Sequence, residues 1–228
     1  MFQKFSKKDK DFIIVHLIFI TVCILILSLP IPLPIGIKLF ILIIVYNFLV
    51  ALIGLIRKDK AWIKLWLFTL MISVFQIFPD WFLSAELNIL IFPEDGLFKI
   101  GTVSGYMLGL WAIPLFMICF IGLKVEELSS KRKGFITVTV CSLLIFGIAE
   151  QSMWLLNSWY PQNVTLIFDH LAIYIILPEI LLGLSTFHFY SQEKSKKMWI
   201  LIIYAFIIMI LYLGNASFFF FLIEKIIL

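Results

Sequence analysis

The chain of 228 residues carries fourteen carboxylic acids, and seven fall in or beside the outer half of a set of apolar segments. They are Asp80, Glu86, Glu94, Asp95, Glu150, Asp169 and Glu179, with Lys99 as the one basic residue among them. An acid inside an apolar span is costly, so each needs a partner, a proton or a function. A neutral carboxylic acid in apolar surroundings can protonate an alkene or epoxide, and aromatic faces beside it stabilise the developing cation. Glu150 and Glu179 are the leading candidates for that role, with Asp80 and Asp169 beside them on polar faces. Trp154, Trp111, Tyr106, Trp81 and Tyr174 lie at compatible depths to line a substrate site, and Gln76 and Asn157 add polar contacts. The competing reading has the acids fixing helix packing and the aromatics forming an interfacial belt.

The elements that position these residues must be membrane spans. Hydrophobic residues make up 63% of the chain and charged ones 14%, against roughly 25% charged in an ordinary soluble domain. The composition implies an all-α polytopic membrane bundle, residues 1–228 forming one domain. A span needs about 20 mostly apolar residues. Seven such runs occur, at 12–29, 36–56, 61–79, 103–123, 135–157, 167–189 and 199–222. The first is too long for a signal-peptide core and ends in the proline turn Pro30–Pro34, so it reads as a retained span. Basic residues test the count. Lysines 4, 7, 8 and 10, Arg57, Lys58, Lys60, Lys64, Lys124, Lys131, Arg132, Lys133, Lys194, Lys196 and Lys197 fall on one side. Lys38, Lys99 and Lys225 fall on the other. A missed helix would scramble that bias, so seven spans are expected, with the N-terminus in the cytoplasm and the C-terminus outside. The location expected is a cell (inner) membrane, with an organelle membrane as the alternative. The net charge of +4 reflects this topology and gives no reason to expect nucleic acid as a partner; the expected partners are the lipid bilayer and a lipophilic small molecule.

The connection between spans 3 and 4, residues 80–102, is long and apolar, with Trp81, Phe82, Leu87, Ile89, Leu90, Ile91 and Phe92. It is expected to form an interfacial or re-entrant helix lying over the bundle as an amphipathic lid. Helical spacing sets Thr69, Ser73, Gln76 and Asp80 on one stripe of span 3. Span 5 carries Gly147, Glu150, Trp154 and Asn157 in the same way, and span 6 carries Asp169, Ala172, Ile176, Glu179, Gly183 and Thr186. Span 7 offers Tyr204, Tyr212 and Asn215. In span 4, Gly101, Gly105 and Gly109 permit close helix approach and Pro114 predicts a kink. By rise per residue, Glu150 sits some ~22 Å from the cytoplasmic start of its span and Glu179 about 15 Å below Asp169, near the midplane. A charged carboxylate at such depth costs at least ~2.5–3.5 kcal/mol. With no Lys or Arg at that level, one or both acids are expected to be neutral or to share a proton or cation.

Pro93-Glu94-Asp95-Gly96-Leu97-Phe98 resembles the Pro-x-Glu-Glu-x-x-Phe-Phe signature of membrane lycopene cyclase domains, and Pro178-Glu179 is a second echo of it. The spacer after Pro93 is missing, the second Glu is Asp95, and one Phe is absent. The seven-span size is also similar to small integral-membrane terpene cyclases. The resemblance implies metal-free and cofactor-free cyclisation or isomerisation of an isoprenoid, with Glu94, or Asp95 beside it, as the proton donor. A transporter or lipid-binding protein with a proton-linked acidic site would draw on the same membrane acids. A retinal Schiff base is excluded, because residues 199–222 contain no lysine. His16, His170 and His188 have no metal-ligand spacing, and Cys23, Cys119 and Cys141 read as small buried hydrophobes.

Overall fold

The computed structural model describes residues 6–192 and 197–227. Lys4, Lys194 and Lys196 of the charge tally lie outside the described residues. Among the described residues, seven helices are long and apolar enough to cross a membrane. They are α1 (Lys7–Ser28), α2 (Ile35–Arg57), α3 (Lys60–Glu86), α4 (Met107–Leu128), α5 (Lys131–Leu156), α6 (Ile173–Gln192) and α7 (Met198–Ile227). The chain is a multi-pass membrane bundle. Helices are the form a chain of this composition takes in lipid, where every backbone polar group needs an internal partner.

Helices α3 to α7 close a ring in which each packs against its sequence neighbour and α7 returns to α3. Helix α1 packs on α2 and joins the ring through Phe12, which stacks on Phe120 at 4.3 Å. The close approaches come from glycines that hold open the space a side chain would take. A Cβ on Gly122 of α4 would land on Val138 of α5, and one on Gly183 of α6 on Ser142 of α5. Of the three glycines expected on one face of span 4, only Gly109 lies in the helix, against Ile43 and Asn47 of α2. Gly101 and Gly105 precede it, because the helix starts at residue 107 and not 103. At the end of the bundle where α1 begins, Arg57 grips Asp11 through two bonds of 2.7 and 2.8 Å. The Asp59 side chain accepts from the Trp62 amide at 2.9 Å, capping α3, and pairs with Lys8 at 3.0 Å.

Two helices are broken where proline requires it. Helix α3 is interrupted at Gln76, three residues before Pro79, and ends in a π turn over Phe82–Glu86. Helix α4 breaks at Trp111, three residues before Pro114. Pro has no N–H and clashes with the carbonyl four residues back.

The 3–4 connection corrects the expectation of a lid helix. It runs extended: β1 (Leu90–Ile91) pairs antiparallel with β4 (Tyr160–Pro161) of the 5–6 connection, and β2 (Lys99–Ile100) folds back on β3 (Val103–Ser104). Leu90 and Ile91 of the apolar run belong to a strand whose partner lies far away in sequence. Asp95 is buried there. Its carboxyl accepts from the Leu97 amide and the Ser104 hydroxyl, and its carbonyl accepts from the Gly36 amide at the start of α2. Span 6 is also corrected. Residues 166–172 form a hairpin, β5 (Leu166–Ile167) against β6 (Leu171–Ala172), so α6 begins at 173 and not 167.

Candidate functional site

The relocated helix ends bring three acids to one level. Asp80, Glu150 and Glu179 each stand six residues from the outer end of their own helix, α3, α5 and α6. That is about 9 Å below the helix ends at 1.5 Å per residue. Glu179 is thus not at the midplane; it falls in the first turn of the regular part of α6, directly after Pro178. Proline is tolerated there because its missing N–H has no partner to lose, and an acid in that turn meets the positive end of the helix dipole. Asp80 is 2% exposed and Glu179 is 3% exposed, while Glu150 is partly buried. Each lies within the electrostatic field of the others.

Two indoles hold two of the acids. Trp111 Nε1 donates to Asp80 Oδ2 at 3.0 Å, and Trp159 Nε1 donates to Glu150 Oε1 at 2.9 Å. Glu179 has no hydrogen-bond partner among the described residues. Tyr174 and Tyr212, both buried, feel the fields of all three acids. Their hydroxyls also have no hydrogen-bond partner among the described residues. Trp111 packs against Phe146 at 5.6 Å and edge-on to Tyr212 at 5.7 Å.

Two spaces meet at this cluster. A crevice of about 20 Å³ lies beneath the paired loops, bounded by Asp80, Glu150, Tyr174 and Tyr212 below and by Leu90, Phe92 and Pro161 above. That is room for about one water. The second is an apolar cleft of about 210 Å³ between α4 and α5. Met107, Trp111, Phe146 and Glu179 form its buried wall, and Glu150 and Trp159 border both spaces. Its rim is partly exposed on the lipid-facing side of the bundle, through Ile113, Pro114, Met117, Ile145 and Met153. Among the described residues neither lining includes a Lys, Arg or His. No group of three or more His, Cys, Asp or Glu among them is placed to hold a metal ion.

Of the residues expected from sequence, the structure brings together Asp80, Glu150, Glu179, Trp111 and Tyr174. Gln76 is fully buried one turn before Asp80, and neither atom of its amide has a hydrogen-bond partner. The others fall elsewhere. Asp169 is exposed in the β5–β6 turn with φ 68°, off the face of α6, since the helix begins after it. Glu94 is exposed and paired with Lys99 at 2.8 Å. Trp154 is 39% exposed and stacks on His170 at 4.0 Å. Asn157 ends α5 in a left-handed turn, φ 51°. Trp81 is 38% exposed and lies over Gly101. Tyr106 is buried, but its hydroxyl is bonded to Ser158, at 2.9 Å to the carbonyl and 2.7 Å to the side chain.

Trp159 and Tyr212 were not among the expected site residues. Tyr212 was visible as part of a weak polar stripe on span 7. Trp159 stood in a short loop, and its signal was an indole N–H that needs an acceptor when buried.

A family model described as a domain of unknown function (DUF6989) matches residues 77–223, which takes in Asp80, Glu150, Glu179 and both indoles. No match was found among curated proteins or among solved structures.

Proposed function

For a chain that belongs to the DUF6989 family of domains of unknown function, we propose the function of a cofactor-independent membrane enzyme that performs acid–base chemistry on an isoprenoid-like lipid. The observation that carries the proposal is the convergence of three carboxyl groups from three helices at one level, with Glu150 and Glu179 lining an apolar cleft whose mouth faces lipid and Asp80 lining the crevice that adjoins it. Neither space is lined by a Lys, Arg or His, so three carboxylates there would go uncompensated in apolar surroundings, and in this reading at least one of the three acids carries a proton.

Glu179 is the proton donor in this reading. It faces the cleft and gives no hydrogen bond to any described residue, so its proton is free for a substrate carbon. Its O–H proton adds to an alkene carbon, forming a C–H bond, a carbocation on the neighbouring carbon and the Glu179 carboxylate. The faces of Trp111 and Phe146 stabilise that cation. Loss of a proton from an adjacent carbon to Glu150 re-forms a double bond, and transfer from Glu150 to Glu179 resets the site. The sum is an isomerisation, or a ring closure when a second alkene attacks the cation first. The Trp111 and Trp159 N–H groups orient Asp80 and Glu150 and lower the cost of a carboxylate there.

The cleft limits the substrate. An engineered protein cavity of ~150 Å³ holds one benzene, so 210 Å³ takes the reacting end of a chain while the remainder stays in the bilayer. Entry from the lipid side matches a substrate that never leaves the membrane.

The test is exchange with solvent. Purified protein in lipid nanodiscs is incubated with linear polyprenols in deuterated water, and carbon-bound deuterium is read by mass spectrometry. The wild type incorporates deuterium; Glu179→Gln and Glu150→Gln insert normally and do not. Absence of incorporation in the wild type, or equal incorporation in both variants, sinks the proposal. Saturable lipid uptake without any incorporation favours a lipid-binding or transport role for the same acids.

A further inference from the structure

We infer that the α4–α5 cleft is a binding site for a lipophilic amine, with the nitrogen seated between Glu179 and Glu150 and the hydrocarbon tail leaving between the two helices into lipid. This goes beyond the catalytic reading and does not need turnover.

The first argument is the kind of polar capacity left over. Glu179 is 3% exposed, borders the cleft and has no hydrogen-bond partner among the described residues. Tyr212, 2% exposed, borders the adjoining crevice in the same unpartnered state. Buried polar groups are almost always hydrogen-bonded, and each one left unpaired costs about 1–3 kcal/mol. A protonated Glu179 offers one O–H donor, and once ionised it only accepts. An amine nitrogen meets both states: it accepts that proton and, as an ammonium, donates N–H groups back to the carboxylate.

The second argument is shape and surface. The cleft bordered by Glu179 and Glu150 has an aromatic wall, Trp111 beside Phe146, with Tyr212 edge-on to Trp111. Such faces attract an alkylammonium, and more strongly once it is desolvated. A volume of about 210 Å³ admits a dimethylammonium head but not a long chain. The tail must lie along Ile113, Met117, Ile145 and Met153 at the mouth, and unbranched Met side chains adapt to varied apolar shapes.

The third is how charge is balanced. An amine arriving from lipid as the free base takes the proton of Glu179. An ammonium and a carboxylate form together at contact distance, and no net charge enters the membrane. A neutral alcohol of equal length can make a hydrogen bond there but not an ion pair.

The experiment uses the full chain in lipid nanodiscs, with N,N-dimethyldodecylamine and 1-dodecanol as probes and empty nanodiscs of the same lipid as the background. Equilibrium dialysis reads uptake above that background. The expected result is saturable uptake of one amine per chain and at least tenfold weaker uptake of the alcohol. Glu179→Gln lowers amine affinity tenfold or more and leaves the alcohol unchanged. Ala149→Phe, which places a ring at the cleft, removes amine uptake by a route that leaves the acids in place. Equal uptake of amine and alcohol, or amine uptake unchanged in both variants, overturns the inference. Amine uptake in a protein that shows no deuterium incorporation supports the inference and counts only against the catalytic reading.

Discussion

The hydrogen bond from Trp111 to Asp80 can report whether the acid layer is charged. The pair is 3.0 Å apart, and the two residues are 8% and 2% exposed. Trp111→Phe deletes the N–H, and Asp80→Leu replaces the carboxyl by an apolar group of similar size. Each single change also alters packing, since Trp111 touches Phe146 and Tyr212. The double-mutant cycle cancels those terms and leaves the pair energy. A hydrogen bond between neutral groups contributes about 0.5–1.5 kcal/mol and one to a charged group about 1.5–3 kcal/mol. Side-chain pairs measured inside membrane bundles run lower, averaging ~0.6 and reaching ~1.7 kcal/mol. For a neutral Asp80 the coupling expected is thus about 1 kcal/mol, roughly a fivefold change in the folding equilibrium. The assay is reversible unfolding in mixed micelles titrated with SDS, for the wild type, both single variants and the double. A coupling below about 0.3 kcal/mol means the bond contributes nothing in the folded bundle. A coupling above about 2 kcal/mol means Asp80 is ionised, and the cluster then has one fewer proton to give.

Two further outcomes concern the scaffold. Burial works against the charge of Asp59, yet the Trp62 amide and Lys8 hold its carboxyl below the ordinary range. Because that shift is downward, its stabilisation is complete above about pH 4 and is lost as pH falls through the depressed value. Asp59→Ala should cost about 1 kcal/mol at neutral pH, and Asp59→Asn only a few tenths, in the same unfolding assay. Gly183→Ala sets a methyl on Ser142 and should cost about 1–3 kcal/mol through overpacking. Ser142→Gly in the same chain should recover most of that loss, and a double variant no better than the single would place the α5–α6 contact elsewhere.

The spans could be read from sequence because lipid demands one thing of them, an apolar run of fixed length, and composition alone meets that demand. Asp80, Glu150 and Glu179 were legible for the same reason: an acid in such a run is conspicuous, and helical spacing assigns its face. What failed was local geometry set by distant partners. Nothing within residues 87–92 announces a strand, because the mate of Leu90–Ile91 is Tyr160–Pro161. Phe168 and Asp169 turn a hairpin at φ 53° and 68° without the Gly or Asn that would have marked it, so counting carried span 6 too far outward. That error put Asp169 on the face of Glu179 and put Glu179 too deep. Trp154 and Asn157 were misplaced by a subtler route, since α5 tightens into a 3₁₀ turn at Met153 and rotates its last residues off the stripe that begins at Gly147.

The seam between β1 and β4 also fixes an order of events. The strand Leu90–Ile91 is synthesised two spans before Tyr160–Pro161, the partner that holds it down. Trp159, which supports Glu150, immediately precedes that partner, and Glu179 arrives later still. During synthesis Asp80 therefore enters the membrane without the other two acids of its layer. Contacts between segments so far apart form slowly, because the intervening chain must first be ordered. The acid layer is accordingly among the last parts of the bundle to be assembled, and a chain ending before residue 159 would hold five spanning helices beneath an unanchored loop.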